Sequence, residues 1–433
     1  MGGIGAVGCN IRSSMRIAII GGGAAGMMCA ARAYEVNPEA EIFLIDRNDG
    51  LGKKVIISGG GRCNVTTGVN DIKTVLTKYP RGAKFLISAM YAFPPEAVYA
   101  WFEAHGVPLK CQTDLRVFPV SDDGHDIVGV FERIFGAGVD VPVDPTKIKV
   151  MLKKSVLSIE KQGDQFAVNI RDQISPLLVD RVVLTTGGQA YRQTGSTGDG
   201  YAFALSLGHT ITPLAPSLNS FTTKETWPAS ISGLSFEKAA LSAKRDGKPH
   251  FTGPFLFTHK GVSGPAVFAL SSLVAFEKYD ATTPLEISID LFPDETVDAL
   301  RERFESIVVG KENKQFDNVL SLLVPKSLAE IIIDEIGVSK SKRVNQVAKK
   351  EINKCLAWLK AVPLNVIGRG VGDEFVTAGG VNLSEIDPKT MESKICPGLY
   401  FAGEVMDVDG YTGGFNLQAS WATGRLAGEH VTL

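Results

Sequence analysis

The chain has 433 residues, more than one ordinary domain of roughly 100–200 residues, so two or three domains are expected. Hydrophobic residues make up 44% and charged residues 21%, which suits a globular protein with a large core. A formal net charge of −2 gives no bulk attraction to nucleic acid or anionic membrane. The six cysteines (Cys9, Cys29, Cys63, Cys111, Cys355, Cys396) form no C-x-x-C pair, which argues against a zinc site or disulfide framework and for a reduced, cytoplasmic setting. No run reaches the roughly 18 apolar residues of a membrane-spanning helix, and "GVSGPAVFALSSLVAF" (261–276) reads as a buried helix. Residues 1–14 lack the basic start and apolar run of a signal peptide, so Met15 is taken as an alternative start.

The first patterned segment is "MRIAIIGGGAAGMMCAARAYEV" (15–36). Ile17–Ile20 suits a buried parallel strand, and the stretch opening with Ala24 and Ala25 suits a helix. The turn between them reads G-x-G-x-x-G: Gly21 for the tight turn, Gly23 for close approach of a pyrophosphate, Gly26 for helix–strand packing. A second strand, "EIFLID" (41–46), ends in Asp46, followed by Arg47. Asp46 falls about 20 residues past the last glycine, where an acid is expected to accept from a ribose 2′-OH. The sequence therefore predicts a dinucleotide-binding turn.

Next comes "GLGKKVIISGGGRCNVTT" (50–67), in which Gly59, Gly60 and Gly61 precede Arg62, Cys63 and Asn64. Such a loop can gather backbone N–H groups into an anion site, with Lys53 and Arg62 adding charge. The strand Val182–Leu184 then runs into Thr186, Gly187 and Gly188, and "TGDG" (197–200) leads into a further helix. Asp199 is open between a helix cap and a functional acid. Beyond it, 234–244, 250–259 and 285–292 are strand-like runs outside any βαβ rhythm, and helical periodicity takes over from 294 to 361. The basic stretch 339–360 reads as a solvated helix face, since Val344, Val347, Ile352, Leu356 and Leu359 form an apolar stripe opposite. Near the end, the strand "LYFAGE" closes on Gly403 and Glu404, and "YTGGFNLQASWATG" (411–424) opens a last helix after Gly413 and Gly414.

These motifs together resemble the BaiN/YhiN-like family of NAD(P)/FAD-dependent oxidoreductases, also called the aminoacetone oxidase family. The matching stretches are "IIGGGAAGMM", "GKKVIISGGGRCNVTT", "GSTGDGYAFALSLGHTI", "LFTHKGVSGPAVFALSS" and the run from "TMESKICPGLYFAGE" to "NLQASWATG". The resemblance implies an α/β fold: a discontinuous Rossmann-like FAD domain (15–192 and 366–433), an inserted β-rich domain (193–293 and 362–365) and a helical subdomain (294–361). It implies FAD, with Gly403 and Glu404 at a flavin-contacting strand end. Gly380 would lie in a loop facing the ring, and Gly413, Gly414, Phe415, Asn416 and Leu417 would pass beside it. The expected activity is hydride transfer between a small organic substrate and FAD, with NAD(P)H as a candidate donor. The alternatives are an oxidase returning electrons to oxygen and a non-catalytic flavin-binding regulator. No second G-x-G-x-x-G opens a strand–helix unit, so a separate NAD(P)H domain is not expected. No histidine falls in a recognisable triad. His259, Arg192 and Arg62 are the substrate-side candidates, and Ser263 before Gly264–Pro265 reads as a helix cap. No metal, nucleic acid or membrane partner is expected.

Overall fold

The computed structural model describes residues 14–136, 148–370 and 375–433; most of the excluded N-terminal stretch lies outside them. The chain divides into two compact units, one running to Leu214 and resuming at Gly379–Leu433, the other Ala215–Ala378. In chain order the first unit contributes β1 (Arg16–Ile20), α1 (Ala24–Val36), β2 (Glu41–Ile45), α2 (Lys53–Ile57), β3 (Ile148–Met151), β4 (Arg181–Leu184) and α3 (Asp199–Ser206). The second contributes β5 (Phe221–Thr223), β6 (Ser235–Ala243), β7 (His250–Thr258), β8 (Gly261–Ser263), α4 (Pro265–Leu273) and β9 (Leu285–Asp290). It continues with α5 (Val297–Val308), α6 (Lys326–Ile336), α7 (Lys349–Lys360) and β10 (Val362–Arg369). The chain then returns to the first unit with β11 (Leu399–Phe401) and α8 (Phe415–His430).

The first unit is built on a parallel five-stranded sheet in the order β11-β4-β1-β2-β3. Ile17–Ile20 of β1 and Ile42–Ile45 of β2 are buried, as unbroken apolar runs in a sheet covered on both faces should be. In the second unit the strands close into an antiparallel barrel, β5-β8-β7-β6-β9-β10. Helices α5, α6 and α7 share one apolar core with that barrel. Pro265 opens α4, but its cap position is Gly264; Ser263 lies in β8 and does not cap. Helix α7 begins only at Lys349, so Val344 and Val347 are buried in the turn before it while Leu356 and Leu359 continue the buried face.

Helix α8 packs along α1 through two glycines. A Cβ on Gly424 would overlap the Ala25 carbonyl oxygen, and one on Gly428 the Cys29 carbonyl oxygen. Both residue numbers rise together along the contact, so the two helices run parallel. The start of α1 therefore stands level with residue 423, which puts the N-terminus of α8 about 12 Å beyond it at 1.5 Å per residue.

Candidate functional site

The carboxyl ends of β1, β2, β4 and β11 meet along one edge of the parallel sheet, where open α/β sheets bind their ligands. At the first end, Gly21 adopts φ +110° and donates its N–H to Ile45 O at 2.8 Å. A Cβ on Gly26 would overlap the Gly21 carbonyl oxygen, so only glycine lets α1 sit this close to the strand. The Thr185 hydroxyl, 2.8 Å from the same carbonyl, locks β4 to this turn. Gly23 differs: nothing lies within 4 Å of where its Cβ would be. It precedes Ala24 and Ala25 at a helix start with no side-chain cap, which leaves first-turn N–H groups without an intrahelical acceptor.

Asp46 is turned onto this turn. Its carboxylate accepts from Gly22 N and from Asn48 N, both at 2.7 Å. A carboxylate has about four lone-pair sites, so capacity for a ribose hydroxyl remains. Arg47 donates to Thr197 Oγ1 at 2.6 Å and Asp199 Oδ2 at 2.8 Å. Asp199 is the first residue of α3 behind a Gly198 cap, so it is an ion-pair partner of Arg47 and not a cap.

Along α2 the two adjacent lysines part company. Lys53 pairs outward with Asp49 at 2.5 Å, whereas Lys54 reaches Glu404 Oε2 at 2.7 Å, at the end of β11. In the following loop Gly59, Gly60, Gly61 and Cys63 all take positive φ, and Gly60 and Gly61 face open space. Arg62 stacks 4.0 Å from the Phe118 ring and faces Asp122, so its charge is already partnered. Cys63 is fully buried, and burial pushes its thiol up to about 12, which removes it as a nucleophile. The Asn64 amide, turned to satisfy its neighbours, accepts from Gly414 N at 2.9 Å and donates to Thr66 O at 3.1 Å.

At the end of β4 the Thr186 hydroxyl is buried without a hydrogen-bond partner among the described residues, and no Cβ would fit at Gly200 beside it. Gly187 takes φ +71° against Ser196, and Gly188 is buried. The Tyr201 hydroxyl is also buried and unpartnered, and burial, with Glu404 and Asp407 nearby, raises its proton affinity. Arg192 is exposed and turned toward Gln189. His259 occupies the exposed β7–β8 turn of the second unit.

The loop from β11 to α8 carries three carboxylates. Gly403 (φ +75°) lies against Ala25 and donates to Thr423 Oγ1 at 3.0 Å. Glu404 is held by Lys54, and the fully buried Asp409 takes a two-pronged pair from Arg81. Half-buried Asp407 has no salt-bridge partner among the described residues, and its Oδ1 accepts nothing. Gly380 exchanges hydrogen bonds with Thr212 and lies against the Met406 carbonyl. At the start of α8, a Cβ on Gly414 (φ +89°) would overlap the Thr66 carbonyl. The second glycine is thus required by a chain-to-chain contact, and the expected ring approach is not needed to explain it. Phe415 is buried, Asn416 clamps Gly410 with two 2.8 Å bonds, and Leu417 is partly buried against the core.

Two uncapped helix starts offset by about 12 Å along their common direction, open glycine positions and orphaned hydroxyls at the sheet edge suit an extended dinucleotide with an anionic waist. Sequence reasoning missed Lys54, Arg81, Tyr201, Asp407 and Asp409. Three acids within a span of six residues, just past a buried strand end, were the available signal.

A family profile described as "HI0933-like protein Rossmann domain" matches residues 15–430. A 3-dehydro-bile acid delta(4,6)-reductase of Clostridium scindens is 28% identical over 415 residues, spanning 95% of this chain and 98% of its own. A ribosomal RNA dihydrouridine synthase of Escherichia coli is 28% identical over 410 residues, 94% of this chain and 95% of its own. Among solved structures, the E. coli quinol fumarate reductase chain FrdA aligns with a TM-score of 0.49 at 17% identity, over 97% of this chain and 70% of that one.

Proposed function

The chain belongs to the HI0933-like Rossmann family and is an FAD-dependent oxidoreductase, and on that premise we propose that it reduces a carbon–carbon double bond conjugated to a carbonyl group in a small organic substrate. The observation that carries the cofactor part of this reading is the pair of parallel helix starts, offset by about 12 Å along their common direction. One suits a pyrophosphate, the other the ring of the same extended cofactor. The relatives' names supply the bond type. Each double bond reduced in a delta(4,6) 3-dehydro compound, and the one reduced when uridine becomes dihydrouridine, takes up two hydrogens at an alkene conjugated with a carbonyl.

FAD, when bound, supplies the hydride. In this reading Gly21, Gly23, Ala24, Ala25 and Gly26 receive the pyrophosphate, and Asp46 with Arg47 sits at the adenosine end. Lys54 and Glu404, with Gly403, Thr186, Gly187 and Gly188, flank the middle of the cofactor. The loop Gly59–Asn64, Gly380 and the start of α8 from Gly413 to Leu417 surround the ring. The uncapped N-terminus of α8 favours the negative charge that gathers on a reduced ring. NAD(P)H is the proposed donor, visiting transiently. A net charge of −2 favours a small molecule over RNA, and the synthase relative makes uridine in RNA the second reading.

The test is anaerobic photoreduction of the holoprotein followed by mixing with 2-cyclohexen-1-one, uridine, a 3-oxo-4-ene steroid acid or air. Rapid return of the oxidised-flavin absorbance with an enone supports the proposal. Rapid return with air alone would make the protein an oxidase instead.

A further inference from the structure

Adding hydride to one carbon of a conjugated double bond requires a proton at the other. The loop between β11 and α8 carries three carboxyl groups within six residues, and their surroundings differ. Glu404 has Lys54 at 2.7 Å, and Asp409 has the Arg81 guanidinium. Asp407 has no salt-bridge partner among the described residues, and its Oδ1 is buried and accepts no hydrogen bond.

A carboxylate oxygen stripped of water and left without a donor costs free energy, and a protonated carboxyl in the same place costs less. Position adds to this. Asp407 N donates to Val381 O at 3.2 Å and Val381 N to Val405 O at 2.9 Å, so Asp407 lies against the Gly379–Val381 segment. That segment and the start of α8 are two of the three pieces the proposed function puts at the flavin ring, and Asp407 stands between these two in the chain.

We propose that Asp407 is the proton donor of the reduction, an assignment that rests on the double-bond reading above. The hydride from the reduced cofactor forms the new C–H bond at the β-carbon. The π pair moves to the α-carbon and takes the Asp407 proton, leaving Asp407 as carboxylate and the flavin oxidised. NAD(P)H then restores the reduced flavin, and solvent restores the Asp407 proton.

The groups facing Asp407 agree with this role. Burial raises its proton affinity, and the neighbouring Asp409 charge acts in the same direction. Against these stand the Thr212 hydroxyl, the Arg81 charge and the Gly379 N–H, which together do not reverse the shift. Tyr201, whose hydroxyl is itself orphaned, feels the Asp407 and Glu404 charges from α3.

Two measurements on the holoprotein test the assignment. The first compares wild type, Asp407→Asn and Asp407→Glu in anaerobic reoxidation of the photoreduced flavin by 2-cyclohexen-1-one. General acid catalysis is worth about 10²–10⁴-fold, so Asp407→Asn should slow reoxidation at least about 100-fold and Asp407→Glu far less, with FAD content unchanged. The second is infrared difference spectroscopy across pH, which should show a protonated-carboxyl band that persists to higher pH than that of an ordinary aspartate and that Asp407→Asn removes. Equal reoxidation rates in wild type and Asp407→Asn, or no such band, overturns the assignment. A wild-type protein inert to every enone overturns the double-bond reading, and with it the donor role, whatever the infrared band shows.

Discussion

Lys54 Nζ lies 2.7 Å from Glu404 Oε2, tying helix α2 to the segment just past the last sheet strand across 350 residues of sequence. The two side chains are 27% and 16% exposed, so water screens neither fully. Removing one partner leaves the other charge partly desolvated and alone, which is costlier than losing the pair.

Lys54→Met and Glu404→Gln should each lower stability by about 1–2 kcal/mol in urea unfolding, because each orphans its partner. The double variant should be less destabilised than the sum of the two, with a coupling of about 1 kcal/mol. Strict additivity would mean that the two groups do not act as a pair.

The fingerprint glycines separate fold from binding. Gly26→Ala puts a methyl group into the Gly21 carbonyl and should cost several kcal/mol, on the order of an overpacked core. Gly23→Val meets nothing within 4 Å, and Gly23 has φ −81°, which any residue adopts. That variant should fold with a near-normal melting temperature yet retain little FAD. Stoichiometric FAD on Gly23→Val would show that no phosphate approaches there.

These contrasts also mark what the sequence disclosed. Strand, glycine turn, helix and Asp46 were legible because each rests on local chemistry: an apolar run, a φ only glycine tolerates, an acid at a strand end. The barrel strands were legible from runs such as 234–244 and 285–292, observed as Ser235–Ala243 and Leu285–Asp290. Lys54 was not separable from Lys53, because which lysine faces the sheet edge depends on how α2 is rotated against its neighbours. Gly414 was read as a place for a ring, since Thr66, 348 positions earlier, is invisible to any local pattern. Asp407 and Asp409 differ through burial and through the Arg81 ion pair, both fixed by tertiary packing.

A histidine cluster missed for the same reason sets a pH dependence. His209 is fully buried, with Nδ1 3.1 Å from Glu385 Oε2 and Nε2 2.8 Å from Ser393 Oγ. Burial holds its proton affinity below the ordinary 6.5 despite the pull of Glu385. Burial alone would raise Glu385, but the Thr210 hydroxyl and N–H and the nearby His209 keep it below the ordinary 4.5. As pH falls through about 6.5, the unfolded chain binds a proton at this histidine before the folded one does. The His209 contribution, complete above that pH, is therefore lost as pH falls toward its lowered folded value. The Glu385 contribution is lost only as pH falls below about 4.5. Melting temperature should drop from pH 7.5 to pH 5, and His209→Asn should flatten that part of the curve. An identical slope in the variant would remove His209 as its cause.

The start of α8 permits a sharper test of ring placement than Gly414, whose substitution would first collide with Thr66. Leu417 is partly buried against the core in the first turn of α8, a turn that contains no acidic residue. A carboxylate there would offset the positive helix end without disturbing Asn416, which holds Gly410. Reduced flavin carries more negative charge than oxidised flavin, so Leu417→Glu should stabilise the oxidised form relative to the reduced one. A helix-end charge interaction is worth about 0.3–1 kcal/mol, rising to ~2 when partly buried. For a two-electron couple 30 mV corresponds to about 1.4 kcal/mol, so the midpoint potential should fall by roughly 10–40 mV. Raising the ionic strength should shrink that shift, because part of the interaction runs through solvent. Potentiometric titration of wild type and variant at two salt concentrations measures both effects. A potential that stays fixed while FAD remains bound would mean that the N-terminus of α8 does not face the ring.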